Sequence, residues 1–327
     1  MLRRHDRRLF ALVARDRTVP TRYRRAKSYL EGKGFHLLEG TLTGRRDCYR
    51  SGSIAERAQE LNELIRNPKV KCIMAAIGGM NSNSLLPYID YDSLRRSPKI
   101  IVGYSDVTAL LLGIYAKTGL VTYYGPAIVA SFGEFPPIVD QTYSYFADIV
   151  MGPSPVPHTL PTPAEWTDEF IDWNTQDRAK QPQPNRLVTV RGGRVCGRLI
   201  GGNLNTMQGI WGSGYMPEIL PGDILLIEDS LKDAADIERS FSLLKISGVF
   251  DRIGGLILGK HEKFDDLGTG RKPHEILQEV MGEIDFPVLA EFDCCHTHPM
   301  LTLPIGCRME LDADAQTVRI LEEFILG

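Results

Sequence analysis

Two kinds of apolar spacing alternate along the first 125 residues. Short continuous runs, such as Ile100, Ile101 and Val102, read as strands buried on both faces. Stretches with apolar residues three and four apart, such as Leu61, Leu64 and Ile65, read as helices with one face inward. On this pattern residues 23–32 form a helix closed by Gly32 and Gly34, residues 35–38 a short strand, and residues 53–67 a second helix. Ser53, with Glu56 three residues on, gives that second helix a capping signature. Residues 70–77 read as a strand ending at Gly78 and Gly79, and residues 100–102 as another. A helix then starts at Asp106, with Ala109, Leu110, Leu111, Leu112, Ile114 and Tyr115 on its apolar face, and residues 121–124 form a further strand. This alternation predicts a doubly wound α/β domain on a largely parallel sheet over residues 1–150.

Residues 151–184 break the pattern. They are rich in proline (Pro153, Pro155, Pro157, Pro161, Pro163, Pro182) and carry Trp166 and Trp173, so they read as a linker with a functional loop. Residues 185–327 return to alternation and predict a smaller α/β domain. Its strands fall at 187–190, 223–227, 254–258 and 288–290, with helices at 234–247 and 274–282. No internal repeat interrupts this order.

A chain of 327 residues with 43% hydrophobic content buries a sizeable core, and two domains are the natural division. A net charge of -3 leaves no strong footprint for nucleic acid. The one basic cluster is the start (Arg3, Arg4, Arg7, Arg8, Arg15, Arg17, Arg22, Arg24, Arg25), which reads as a solvated face or frayed terminus. Leu9 to Ala14 is too short for a signal peptide or a membrane span and runs straight into Arg15 and Asp16. A cytoplasmic protein with no nucleic-acid or membrane partner is expected. The six cysteines, among them Cys294 and Cys295, show no disulfide framework.

Chemistry concentrates where predicted strands end. Ser105 lies between a strand and a helix, where free backbone N–H groups and the helix dipole stabilise an oxyanion. That is the setting of a nucleophile. A plain N-cap competes with it, because Ser and Asp commonly precede apolar helices. Val107 also stands where a Gly-x-Ser-x-Gly elbow has its second glycine. Glu228 and Asp229 end the strand at 223–227, at the edge where open α/β sheets bind ligands. Either carboxylate can orient a histidine, and either can cap the next helix. His296 and His298 follow another strand, and either suits a general base. With Cys294 and Cys295 they also suggest zinc. Adjacent cysteines chelate one ion poorly, however, and no second ligand pair at the usual spacing appears. No metal and no cofactor is expected. Gly78 and Gly79 allow close backbone approach to a ligand, or form a simple turn. The order Ser, Glu, His fits a triad.

These residues resemble a known family, the serine L,D-carboxypeptidases together with the microcin C immunity peptidases. The matching blocks are Ile77 to Met80, Lys99 to Leu112, Leu199 to Leu204, Ile224 to Asp229, and His296-Thr297 with Thr302 to Ile305 and Gly306. The resemblance implies two domains with the active site between them. It implies Ser105 as nucleophile, Glu228 as the acid and His296 as the base, since the family's histidine directly precedes this threonine. It also implies oxyanion donors at the backbone N–H groups of Gly79 and Asp106. The stretches 78–87, 166–173 and 203–211 look more like the immunity branch, which hydrolyses the amide joining an aminoacyl group to a modified nucleotide. Gly78, Asn81, Trp173 and Asn203 are then expected to bind substrate, with Trp173 stacking on the base. A homodimer acting on a small-molecule or peptide–nucleotide substrate is expected. Rival readings are a murein tetrapeptide carboxypeptidase and a non-catalytic nucleotide-binding relative. The family opens on Gly-Asp, a strand and a Ser-Pro-rich loop; here Leu9 to Ala14 is the only strand candidate in an Arg-rich start.

Overall fold

The structure is a computed structural model and describes residues 8–13, 19–152, 155–283, 285–294 and 296–324. Arg3, Arg4, Arg7, Arg15, Arg17 and Cys295 lie outside the described residues.

The first half alternates as its apolar pattern predicts and adds two helices, at residues 91–96 and 138–150, that the pattern did not assign. It runs β1 (Arg8–Val13), α1 (Pro20–Gly32), β2 (His36–Glu39), α2 (Ile54–Arg66) and β3 (Cys72–Ala75). It continues through α3 (Tyr91–Arg96), β4 (Ile100–Gly103), α4 (Thr108–Thr118), β5 (Thr122–Tyr124) and α5 (Ile138–Val150). The capping signature is realised: the Ser53 hydroxyl accepts from the Glu56 N–H at 3.2 Å, and the Glu56 carboxylate accepts from the Ser53 N–H at 2.8 Å. Helix α4 is buried from Thr108 to Ile114, which accounts for a sequence apolar all round rather than striped.

The Pro-rich stretch supplies β6 (His158–Thr159), β7 (Glu165–Trp166) and β8 (Gln183–Pro184). It is tied down rather than loose, since Thr167 and His298 exchange backbone hydrogen bonds of 2.8 and 2.9 Å. Next come β9 (Val188–Arg191), β10 (Arg194–Asn203), α6 (Leu204–Gln208), β11 (Ile224–Glu228) and α7 (Ala234–Ile246). The chain ends with β12 (Gly255–Gly259), α8 (Pro273–Met281), β13 (Val288–Phe292), β14 (Leu303–Ile305), β15 (Arg308–Asp312) and β16 (Thr317–Ile320).

Among the described residues two large sheets form. The first has the order β14-β5-β4-β3-β1-β2 and is parallel except for β14. The second has the order β6-β16-β15-β10-β11-β12-β13-β9, with a parallel centre from β10 to β13 and antiparallel flanks. The central strands read as continuous apolar runs because both of their faces are covered. Every residue of β11 and of β12 is buried.

This topology decides where chemistry can gather. In open α/β sheets ligands bind beyond the carboxyl ends of the parallel strands. Those ends here are the turns after β3, β4 and β13, which hold Gly78, Ser105 and His296, and the last residues of β10 and β11, Asn203 and Glu228. Strand β14 follows the histidine in sequence but pairs with β5 of the first sheet, Leu303 opposite Tyr124. The chain thereby crosses back beside the serine. No helix among the described residues is long and apolar enough to cross a membrane.

Candidate active site

Ser105 takes a left-handed backbone conformation, with φ at +60°. A non-glycine residue there is strained by roughly 1–3 kcal/mol, and such strain concentrates at functional turns. The strain also explains why the helix does not begin at Asp106. A single 3-10 turn, Ser105–Val107, intervenes before α4. No side chain caps either segment, so Ser105 is not the cap that its position allowed.

The Gly78–Gly79 turn sits against this serine because β3 and β4 pair in parallel, Met74 opposite Val102. A β-carbon on Gly78 would lie 2.9 Å from both Cβ and Oγ of Ser105. One on Gly79 would lie 3.0 Å from the Asp106 carboxylate. A side chain at Gly78 would push the serine aside, and one at Gly79 would crowd the carboxylate. The turn is held from below: Asp106 Oδ2 accepts from the N–H groups of Asn81 and Ser82 at 3.0 and 2.9 Å. Burial pushes the Asp106 carboxyl up, against those hydrogen bonds. Arg57 donates to Asn81 Oδ1 at 2.9 Å and to Ser84 Oγ at 3.1 Å. Asn81 therefore faces Arg57 in a neighbouring cavity of about 230 Å³, on the other side of the glycines from the serine.

Glu228 is only 1% exposed. Its Oε2 lies 2.8 Å from His296 Nδ1. Its Oε1 accepts from the Tyr124 hydroxyl at 2.5 Å and from Asn203 Nδ2 at 2.9 Å. Burial alone would raise this carboxyl. His296 and the hydrogen bonds from Tyr124 and Asn203 outweigh it and hold the group below the ordinary carboxylate range. An Nδ1–H given to Glu228 leaves His296 Nε2 as the acceptor nitrogen. The imidazole lies edge-on to Tyr104, with 4.8 Å between ring centroids. Asp229 is the other carboxylate of the pair. Burial, then the Glu228 charge, pushes it up to about 6. It accepts from the Asn205 and Ser230 N–H groups at 3.1 and 3.0 Å. Neither acid caps α7; Asp233 does, accepting from the Asp236 N–H at 2.8 Å.

Upstream of His296, the turn is pinned by a buried ion pair, Lys260 Nζ to Asp293 Oδ1 at 2.7 Å, with Asn185 donating to Asp293 Oδ2 at 2.8 Å. His298 is placed differently. It is buried 3.7 Å from Glu134. Burial and then the Lys180 charge push its imidazole down to about 3, against the pull of Glu134, so it stays neutral.

Ser105 and His296 line one cleft of about 520 Å³, a size suited to a small ligand. The ends of β3, β4, β10 and β11 contribute Gly78, Ser105, Asn203 and Asp229 to its walls. The Pro-rich segment contributes Phe170, Trp173 and Lys180. Expected substrate residues Gly78, Trp173 and Asn203 thus reach the cleft, although the Asn203 amide is taken by Glu228 and Asp229. Asn81 does not line it. Sequence reasoning missed Tyr124, whose hydroxyl bridges Glu228 and the Ser105 N–H, the latter at 3.4 Å. Its position at the carboxyl end of a predicted strand was the available signal.

An α/β fold with such a serine and histidine on one cleft belongs among the serine hydrolases. Residues 10–125 match the LD-carboxypeptidase N-terminal domain and residues 196–311 the LD-carboxypeptidase C-terminal domain, so the chain belongs to this family of serine peptidases. It is 58% identical to a putative carboxypeptidase of Vibrio cholerae, over 94% of this chain and 92% of the relative. It is 54% identical to the microcin C7 self-immunity protein MccF of Escherichia coli, over 94% of this chain and 90% of the relative. The solved structure of MccF in complex with aspartyl sulfamoyl adenosine superposes with a TM-score of 0.95 at 51% identity, covering 97% of each chain.

Proposed function

We propose that this protein hydrolyses the amide bond joining an aminoacyl group to a modified nucleotide of the microcin C kind, with Ser105, His296 and Glu228 as its triad. The observation that carries the reading is the pairing of a buried, charged Glu228 with His296 at 2.8 Å, on the cleft that the strained Ser105 also lines. Similarity to a protein solved with an aminoacyl sulfamoyl nucleotide supports the substrate class.

Ser105 Oγ attacks the acyl carbon and its proton passes to His296 Nε2. Glu228 holds the tautomer and stabilises the imidazolium. The N–H groups of Gly79 and Asp106 stabilise the oxyanion. The intermediate collapses as the imidazolium gives its proton to the nucleotide-side nitrogen, which leaves. Water, deprotonated by His296, then hydrolyses the ester and frees the acyl group as an acid. The reading extends to a homodimer, to action in the cytoplasm, which the short apolar run at the start supports, and to a division into residues 1–150, 151–184 and 185–327, which the change of apolar pattern at the Pro-rich stretch supports.

The two histidines separate under this mechanism. His298→Asn is expected to keep kcat within about threefold of wild type, while His296→Asn lowers it by about three orders of magnitude. Steady-state rates check this, and equal losses would remove His296 from the role of base.

Trp173 is the proposed platform for the nucleobase. Stacking is worth about 1–3 kcal/mol per base, so Trp173→Ala should raise KM for aspartyl sulfamoyl adenosine by about tenfold or more. A murein tetrapeptide has no base, and its KM should hardly move. Kinetics with both substrates on both proteins decide the matter. Efficient cleavage of the tetrapeptide with no turnover of the nucleotide compound would replace this reading by the carboxypeptidase one.

A further inference from the structure

Arg22 belongs to the Arg-rich start, which its composition marks as a solvated face. In the fold it is fully buried, at 0% exposure. A guanidinium removed from water is costly unless its donors are satisfied and its charge is met. Arg22 meets both conditions with groups distant in sequence. Nε donates to the Val129 carbonyl at 2.9 Å and Nη2 to the Ala130 carbonyl at 2.8 Å. Nη2 also bonds the Glu134 carboxylate, and Nη1 the Gln176 side-chain oxygen. Its guanidinium carbon lies 4.6 Å from the centroid of the Trp173 ring.

The charges around it are uneven. Glu134 also pairs with Lys180, at 3.3 Å, and accepts from Gln176 Nε2 at 2.8 Å. Two buried cations therefore share one carboxylate, and His298 beside them is neutral. Lys180 alone can balance Glu134. What Arg22 adds is a planar cation against an indole that borders the cleft. Since Arg22 is wholly buried and Trp173 only half so, the arginine occupies the inner side of the ring. A lysine could supply the charge but not the flat fork that reaches two backbone carbonyls, a carboxylate and an amide together.

We propose that Arg22 is a positioning residue that fixes the Trp173 indole as the wall of the cleft facing the nucleobase, and so sets affinity for base-bearing substrates without touching them. This rests on the reading of Trp173 given above. It makes α1, far from the triad in sequence, part of substrate selection.

The test is a double-mutant cycle of Arg22→Met and Trp173→Ala. Its substrates are aspartyl sulfamoyl adenosine and the matching aspartyl sulfamate without a nucleoside. Methionine preserves bulk and leaves Glu134 paired with Lys180. Arg22→Met is expected to raise KM for the adenosine compound about threefold to tenfold, with kcat within about twofold. KM for the base-free compound should stay unchanged, and on the Trp173→Ala background the substitution should add nothing. Arg22→Lys, the variant less at risk of misfolding, should show a smaller effect of the same selectivity. Multiplying effects in the double variant, or an equal rise with the base-free compound, would overturn the inference while leaving Trp173 in place. If Trp173→Ala alone leaves KM for the adenosine compound unchanged, the base-platform reading falls and this inference falls with it.

Discussion

Replacing Ser105 by alanine is expected to lower kcat by about four orders of magnitude or more while the fold survives. Members of a triad act as a unit, so removing the nucleophile removes nearly all of the covalent route and leaves only binding and the oxyanion donors. The fold has little reason to fail. Ser105 is half-buried at the cleft, not in the core, and alanine bears the same left-handed strain at φ +60°. That strain offers a control. Ser105→Gly should be equally inactive yet melt higher than Ser105→Ala, because glycine takes a positive φ without penalty. Initial rates and thermal unfolding of both variants provide the comparison. A Ser105→Ala enzyme with more than about a tenth of wild-type kcat would show that this hydroxyl is not the nucleophile.

Legibility in the sequence followed burial and locality. Strands β3, β4, β11, β12 and β13 were readable because strands covered on both faces are runs of apolar residues. Helix α2 was readable because its capping box is local. Strand β10 was not, although it is the longest strand described. Gly197, Gly201 and Gly202 interrupt it and look like breakers, whereas they record tight packing. A β-carbon on Gly201 would meet the Leu226 carbonyl at 1.9 Å, and one on Gly202 would meet Thr108 and Tyr124 within 3.0 Å. Expectations for the first half stop at Tyr124 and so omit α5, although Ile138, Thr142, Phe146 and Ile149 mark a helical face.

The site shows the same division. Ser105, Glu228 and His296 were legible as strand-end residues in the right order. Which carboxylate and which histidine belong together was legible only through the family resemblance, not from pattern or spacing, because each choice lies between near neighbours in sequence. Side-chain direction separates them: Glu228 turns to His296, and Asp229 to the backbone of Asn205 and Ser230. For another reason the role of Arg22 was illegible, and that of Tyr124 was marked only by its place at a strand end. Their carboxylate and amide partners lie more than a hundred residues away, at Glu134 and Gln176 for the one and Glu228 for the other. Composition then misleads: Arg22 sits in a basic run that looks solvated, yet it is buried while its neighbour Arg24 is exposed.

Glu228→Gln should lower kcat by about three to four orders of magnitude, although it changes one atom type. Both carboxylate oxygens accept: Oε2 from His296 Nδ1, and Oε1 from Tyr124 and Asn203. A glutamine has one oxygen and one NH₂ group. If the NH₂ faces Tyr124 and Asn203, it meets the Asn203 NH₂ donor to donor in a buried place, which is costly, even where the Tyr124 hydroxyl turns to accept. If it faces His296, Nδ1 must accept, the neutral ring carries its proton on Nε2, and the base is lost. Glutamine satisfies one side only by spoiling the other. The substitution should also alter acid stability, and the sign follows from the pKa. The folded Glu228 carboxyl lies below its ordinary value, because His296, Tyr124 and Asn203 outweigh burial. Its ionised form therefore contributes stability above the unfolded value of about 4.3, and that contribution is lost as pH falls through the lower folded value. The wild type should thus lose Tm faster than Glu228→Gln as pH falls from about 5 to about 3, narrowing any gap between them. Rates at neutral pH and melting curves across that range measure both effects. A Glu228→Gln enzyme keeping more than about a tenth of wild-type kcat would take Glu228 out of the triad, and a wild-type Tm falling no faster than the variant's in acid would show that its carboxyl is not held low in the fold.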